Sequence, residues 1–268
     1  MIPIVLHHGI FNLFTFQLGR LKVSAFSGGI EETIAGRGHP LIISKVHPTA
    51  GIATRAQQLK AKILADLQEM GRPDGSVIVI AHSMGGLDAR YMISRLGMDK
   101  HVSALVTIST PHRGSPYATF CKHHLCDRLG AFELARWLGL DINAVNDLTP
   151  EACRRFNETT PDVPGVGYYS ISGARPDQRV PAFAYHAWKV IHEAEGDNDG
   201  LVSLSSSVWG KSLGTWPLHH WHQVNKRLLI ERNGIGNISH YYLRMLDEIE
   251  ADGVEMGGRM NLCERSSA

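Results

Sequence analysis

Val77-Ile78-Val79-Ile80-Ala81-His82-Ser83-Met84-Gly85-Gly86 is an apolar, β-branched run that ends abruptly in a serine bracketed by small residues. Such a run reads as a buried parallel strand, and Leu87 to Leu96 after it reads as a helix, so Ser83 falls on the sharp turn between them. Crowding explains the spacing. A serine on such a turn adopts a strained backbone, and the positions two before and two after it must stay small for strand and helix to approach. Those positions are Ala81 and Gly85. Serine is also a favoured helix N-cap, but a cap needs no small residues around it. The pattern therefore points to a nucleophile.

Working outward from this turn, Ile2 to His7 reads as a first strand, followed at once by the loop His8-Gly9-Ile10-Phe11-Asn12. Gly29 to Ala35 reads as a short helix stopped by Gly36 and Gly38, and Leu41 to Val46 as a second strand. From Arg55 to Met70 the apolar residues Ala56, Leu59, Ile63, Leu64, Leu67 and Met70 fall at helical spacing. Val102 to Ser109 and Val166 to Ser172 read as later strands. This alternation predicts an α/β chain with a doubly wound, mainly parallel sheet. Between the last two strands, Arg113 to Pro161 forms an insertion in which Leu129, Phe132, Leu134, Trp137, Leu138 and Leu140 suggest an amphipathic helix. The expectation is one domain over residues 1–268 with a helical cap or lid insertion at about 113–161. Ser239 to Ala251 reads as a last packing helix and Gly253 to Ala268 as a loose tail.

Composition narrows the function classes. Of 268 residues, 43% are hydrophobic and 20% charged, which excludes a disordered chain. A net charge of +1 without a long Lys/Arg run gives no electrostatic footprint for nucleic acid. Cys121, Cys126, Cys153 and Cys263 are too few and too irregularly spaced for a disulfide scaffold. Met1-Ile2-Pro3-Ile4-Val5-Leu6 lacks the charged start and apolar length of a signal peptide, and no segment approaches a membrane span. The expected compartment is cytoplasmic, or extracellular if a leader has been removed.

Five motifs in order carry a resemblance. They are Pro3-Ile4-Val5-Leu6-His7-His8-Gly9, Ala81-His82-Ser83-Met84-Gly85-Gly86, Ser109-Thr110-Pro111-His112-Arg113-Gly114-Ser115, Asp147-Leu148-Thr149 with Arg155-Phe156-Asn157, and Asn198-Asp199-Gly200-Leu201-Val202. Through them the chain resembles bacterial triacylglycerol lipases of the α/β-hydrolase superfamily, of the Pseudomonas and Burkholderia type, over most of residues 1–230. The common form has glycine where this chain has Ala81, a departure of one methyl group.

The resemblance implies an α/β-hydrolase fold and a catalytic triad in the order Ser, acid, His. Ser83 is the implied nucleophile. Glu195, Asp197 and Asp199 crowd one loop, which by itself reads as an acidic turn; the family pattern selects Asp199, with Asp197 as the alternate. His219, His220 and His222 crowd another, and matching Val224-Asn225 to the family selects His220, with His222 next. The oxyanion hole is implied at the backbone N–H groups of Met84 and Ile10, with Phe11 the neighbouring candidate.

Relatives of this type hold a structural calcium near the histidine through oxygen ligands. Here those positions are His222 and Lys226, poor partners for a hard cation, so the site is expected to be lost although Asp177 stands at the upstream ligand position. Cys121-Lys122-His123-His124-Leu125-Cys126-Asp127 lacks a second ligand pair at zinc spacing and reads as ordinary helix surface.

The implied activity is that of a serine carboxylic ester hydrolase, lipase or esterase, needing no cofactor. Its partners would be lipid-like ester substrates, with transient contact to a lipid interface. A thioesterase or acyltransferase uses the same acyl-serine, and a catalytically silent hydrolase fold used for binding is the reading from another class.

Overall fold

A computed structural model describes residues 1–10, 17–18, 21–22, 26, 29–127, 143–176, 182–224 and 237–254. The amphipathic helix expected around Phe132 and Trp137 lies outside the described residues, as do Phe11, Asp177, Lys226 and most of the C-terminal tail.

The elements run β1 (Ile4–His7), β2 (Gln17–Leu18), β3 (Leu21–Lys22), α1 (Ile30–Gly36), β4 (Leu41–Ile43), α2 (Ile52–Glu69), β5 (Val77–His82), α3 (Gly85–Arg95) and β6 (Val102–Ile108). There follow α4 (Pro116–Cys121), a π-helical stretch Lys122–Asp127, α5 (Ala144–Asp147), α6 (Pro150–Thr159), β7 (Gly167–Gly173), α7 (Ala182–Glu195), α8 (Leu204–Ser207), β8 (Lys211–Trp216) and α9 (Ser239–Ala251). Six strands form one parallel sheet in the order β4-β1-β5-β6-β7-β8, and β2 and β3 pair as a separate antiparallel ribbon.

The apolar run of β5 is continuous because both faces of the strand are covered. Val77, Val79 and Ala81 point into a core shared with Ala56, Leu59, Ile63 and Leu67 of α2 and Ala89, Met92 and Ile93 of α3. Ile78 and Ile80 point into the opposite core, with Ile30 and Ile34 of α1 and Tyr242, Met245, Leu246 and Ile249 of α9. Full burial of each aliphatic side chain contributes about 1.5–3 kcal/mol. These cores make β5 the rigid centre of the molecule.

The strand order sets the position of the site. From β1 the chain steps outward to β4 and then returns past β1 to β5, so the winding direction reverses between β1 and β5. Loops at the carboxyl ends of two such strands diverge and leave a crevice. The loop after β1 is His8-Gly9-Ile10, and the turn after β5 carries Ser83.

Among the described residues, the strands and helices anticipated from sequence are present, with shifted ends. The first strand is shorter than Ile2 to His7, and the second stops at Ile43, where the Ser44 side chain turns toward His7. Arg55 lies inside α2 rather than at its start.

Candidate active site

Ser83 has φ 58°, in the left-handed region that non-glycine residues rarely adopt. Neighbouring strands hold it there: Ser83 N–H donates to Ile108 O at 2.9 Å, and the Ser83 carbonyl accepts from Gly86 N–H at 3.1 Å and from the Thr110 hydroxyl at 2.7 Å. Gly9 is required by close approach, since a Cβ there would fall 2.6 Å from Ser83 Cβ. The Gly9-Ile10 backbone therefore runs directly against the serine. Met84 is buried at the entry to α3, while Ile10 packs at the edge of an apolar cluster containing Met84, Leu87, Ala118 and Leu148.

A second strained residue flanks the turn. Ser109, at the end of β6, has φ 46° and a buried hydroxyl without a hydrogen-bond partner among the described residues. Left-handed backbone costs a non-glycine residue about 1–2 kcal/mol, partly offset by the greater entropy that a glycine loses on folding. Ser109→Gly is accordingly expected to raise the thermal midpoint by about 2–4 °C. A fall in the midpoint, measured by calorimetry, would contradict this account of the strain.

His220 and Asp199 are brought together, and Asp197 is not. His220 Nδ1 donates to Asp199 Oδ2 at 2.8 Å, while His220 N–H donates to the Asp199 carbonyl at 2.9 Å. The other carboxylate oxygen, Oδ1, accepts the backbone N–H groups of Leu201 at 3.0 Å and Val202 at 2.9 Å. Asp199 is fully buried, and burial alone would raise its pKa; the His220 charge and hydrogen bond, with the two backbone donors, outweigh burial and hold the carboxyl below its ordinary value. Asp197 is exposed, and its backbone carbonyl accepts from Leu204 N–H. Of the neighbouring histidines, His222 stacks on the His219 ring with centroids 3.5 Å apart.

The two halves of the site are also joined. His82, the residue before Ser83, bonds through Nε2 to the His220 carbonyl at 3.0 Å, and the two imidazoles lie with centroids 4.5 Å apart. His82 sits inside the motif that was read from sequence, but its partner there could be found only in three dimensions.

Beneath the Gly9-Ile10 loop lies a buried polar network that the sequence did not reveal. Arg55 Nε donates to Asp88 Oδ2, Arg55 Nη2 to the His8 carbonyl and Arg55 Nη1 to the His47 carbonyl, each at 2.8 Å. The same Asp88 oxygen accepts from His7 Nε2 at 2.9 Å, and His7 Nδ1 lies 2.6 Å from the Ser44 hydroxyl. Burial lowers the His7 pKa more than Asp88 raises it, so His7 is neutral, with its proton on Nε2 and Nδ1 accepting from Ser44. A charged residue at one helical position carries no sequence signal that it faces inward.

The remaining motifs form scaffolding. Buried Arg90, whose pKa burial lowers to about 10, lies 3.6 Å from the centroid of the Trp209 ring and donates to Asn157 Oδ1 at 2.8 Å and the Thr160 carbonyl at 3.0 Å. Asn157 in turn donates to the His112 carbonyl at 2.8 Å, fixing the loop after β6 against α6. Among the described residues, no three His, Cys, Asp or Glu side chains are arranged to hold a metal ion. In the loop after His220, the His222 imidazole is buried against His219.

The parallel sheet with a strained serine at its switch point defines an α/β-hydrolase. Residues 52–209 match the family described as PGAP1-like alpha/beta domain. The chain is 30% identical over 242 residues to triacylglycerol lipase 2 of Saccharomyces cerevisiae, spanning 84% of this chain and 73% of that protein. It is likewise 30% identical over 289 residues to a triacylglycerol lipase of Burkholderia plantarii, spanning 84% of this chain and 78% of that one. Among solved structures, a metagenomic carboxyl esterase shares the fold with a TM-score of 0.76 at 18% identity, over 94% of this chain and 76% of that chain. The chain belongs to the triacylglycerol lipase family of carboxylic ester hydrolases, with a PGAP1-like alpha/beta domain.

Proposed function

We propose that this ester hydrolase works through Ser83 as nucleophile, His220 as general base and acid, and Asp199 as the carboxylate that orients His220. Ser83 Oγ attacks the ester carbonyl as its proton passes to His220 Nε2. The N–H groups of Ile10 and Met84 stabilise the oxyanion, and His220 returns the proton to the departing alcohol. Water then cleaves the acyl-serine by the same steps. The observation that carries this reading is the buried His220–Asp199 hydrogen bond at 2.8 Å, tied through His82 to the strained Ser83 turn.

The substrate is a lipid-like ester. Support comes from the relatives named triacylglycerol lipase and from the buried apolar cluster of Ile52, Met84, Leu87, Ala118, Ala144 and Leu148, which packs parts of the insertion beside the proposed oxyanion donors. The insertion at about 113–161 acts as the cap, its described parts being α4, α5 and α6 between β6 and β7. No helix among the described residues is long and apolar enough to cross a membrane. Contact with lipid is therefore proposed as transient, at an interface. A reducing, cytoplasmic compartment suits the buried Cys153 thiol, which donates to the Pro111 and Asp147 carbonyls.

A fluorophosphonate probe is expected to label Ser83 covalently, and activity on p-nitrophenyl esters is expected to persist with long acyl chains and to rise with an oil interface. An unlabelled, folded chain would refute the nucleophile assignment. A steep collapse beyond butyrate would refute the lipid substrate.

A further inference from the structure

Gln223 lies three residues beyond His220, on the short 3-10 turn His222–Val224, and is fully buried. Its Nε2 donates to Asp199 Oδ2 at 3.0 Å and to the Leu218 carbonyl at 3.4 Å. Both partners are acceptors, so the amide has one chemically sensible orientation; flipped, it would set oxygen against two oxygens. Asp199 Oδ2 is also the oxygen that takes the His220 Nδ1 proton. A single carboxylate oxygen thus receives both the imidazole and the amide.

Two further elements are shaped around this residue. Gly173, the last residue of β7, leaves the space it occupies, since a Cβ there would fall 2.0 Å from Gln223 Nε2 and 2.9 Å from Asp199 Cβ. From α9, the buried Tyr242 hydroxyl donates to the backbone carbonyl of Gln223 at 2.7 Å, and burial raises that phenol far above its ordinary pKa, keeping it a donor. The sheet leaves room for the side chain, and the last helix fixes the backbone that carries it.

We propose that Gln223 is a positioning residue that shares the Asp199 carboxylate with His220, fixing the plane of the carboxylate and restraining the basicity of the pair. The proposal rests on the reading that Ser83, His220 and Asp199 cleave the ester. Each hydrogen bond donated to a carboxylate disperses its negative charge and weakens its pull on a neighbouring imidazolium. The amide therefore keeps His220 deprotonated, and able to accept the Ser83 proton, to lower pH than the carboxylate alone would allow. A residue that served packing only would change stability and leave this titration in place.

The test uses the full chain, comparing wild type, Gln223→Leu, Gln223→Glu and Ser83→Ala on p-nitrophenyl butyrate across the acid range. Gln223→Leu is expected to lower kcat about tenfold with KM little changed, the size of one hydrogen bond to a charged group. The acid limb of kcat/KM, which reports the free base, should move up by about half a pH unit. Gln223→Glu, buried against Asp199 Oδ2 and the Leu218 carbonyl, is held protonated and donates as the amide does, so its limb should stay at the wild-type pH. If Gln223→Leu fails to fold, Gln223→Met, which also lacks the donor, takes its place. A folded Gln223→Leu or Gln223→Met whose acid limb stays at the wild-type pH, or moves down, would overturn the proposal. Hydrolysis retained in Ser83→Ala is a different failure, and would overturn the underlying triad and this proposal together.

Discussion

Asp199→Asn is expected to lower kcat on a short-chain ester by about four orders of magnitude, while Asp197→Asn leaves it within about twofold. The asymmetry follows from the donors around Asp199. Backbone N–H groups of Leu201 and Val202 hold Oδ1, and His220 Nδ1 and Gln223 Nε2 meet Oδ2. An asparagine has one acceptor oxygen, and the two backbone donors, which cannot rotate away, draw that oxygen to the Oδ1 position. Its NH2 group then faces His220. Nδ1 must become an acceptor, the imidazole proton moves to Nε2, and the nitrogen proposed to take the Ser83 proton can no longer accept it. Asp197 is exposed, and its backbone carbonyl accepts from Leu204 N–H, a contact that asparagine retains. Steady-state kinetics on the two variants, with Ser83→Ala as the inactive control, decide the matter. Collapse in Asp197→Asn with activity preserved in Asp199→Asn would overturn the acid assignment.

The same two aspartates show where sequence reading stops. Separated by one residue in an acidic turn, they look alike in composition, and only burial against two backbone donors distinguishes them. Central strands were legible because they are covered on both faces and so carry unbroken apolar runs. β8 was not: Lys211-Ser212-Leu213-Gly214-Thr215-Trp216 is an edge strand, exposed over most of its length, and is identified only by its pairing with β7. The β2–β3 ribbon is too short to produce a periodic signal. α7 was not anticipated either, although Ala182–Glu195 separates polar from apolar residues as clearly as α2 does. Within the site, motifs revealed the residues with special backbone requirements, Gly9 and Ser83. The polar side chains that support them, His7, Arg55, Asp88, Thr110 and Gln223, belong to residue types whose burial depends on tertiary contacts.

Arg55 provides the sharpest test of that hidden support. Arg55→Met is expected to destabilise the fold by about 3–5 kcal/mol, because it removes the cation from a buried pair and leaves Asp88 charged in the core. Arg55 and Asp88 are both fully buried, and the remaining partner of the Asp88 oxygen, His7, is held neutral by burial. The substitution also frees the His8 carbonyl, which Arg55 Nη2 anchors at 2.8 Å one residue before Gly9. Stability and catalysis separate in the double variant. Adding Asp88→Asn neutralises the stranded carboxylate and should recover part of the lost stability in chemical denaturation. It cannot restore the anchor on His8, so the Ile10 N–H stays misplaced and kcat remains depressed by about 10–100-fold, somewhat less than outright loss of an oxyanion donor. Full recovery of kcat in Arg55→Met/Asp88→Asn would show that Arg55 serves only to balance charge, and that the Gly9-Ile10 loop holds its position against Ser83 without it.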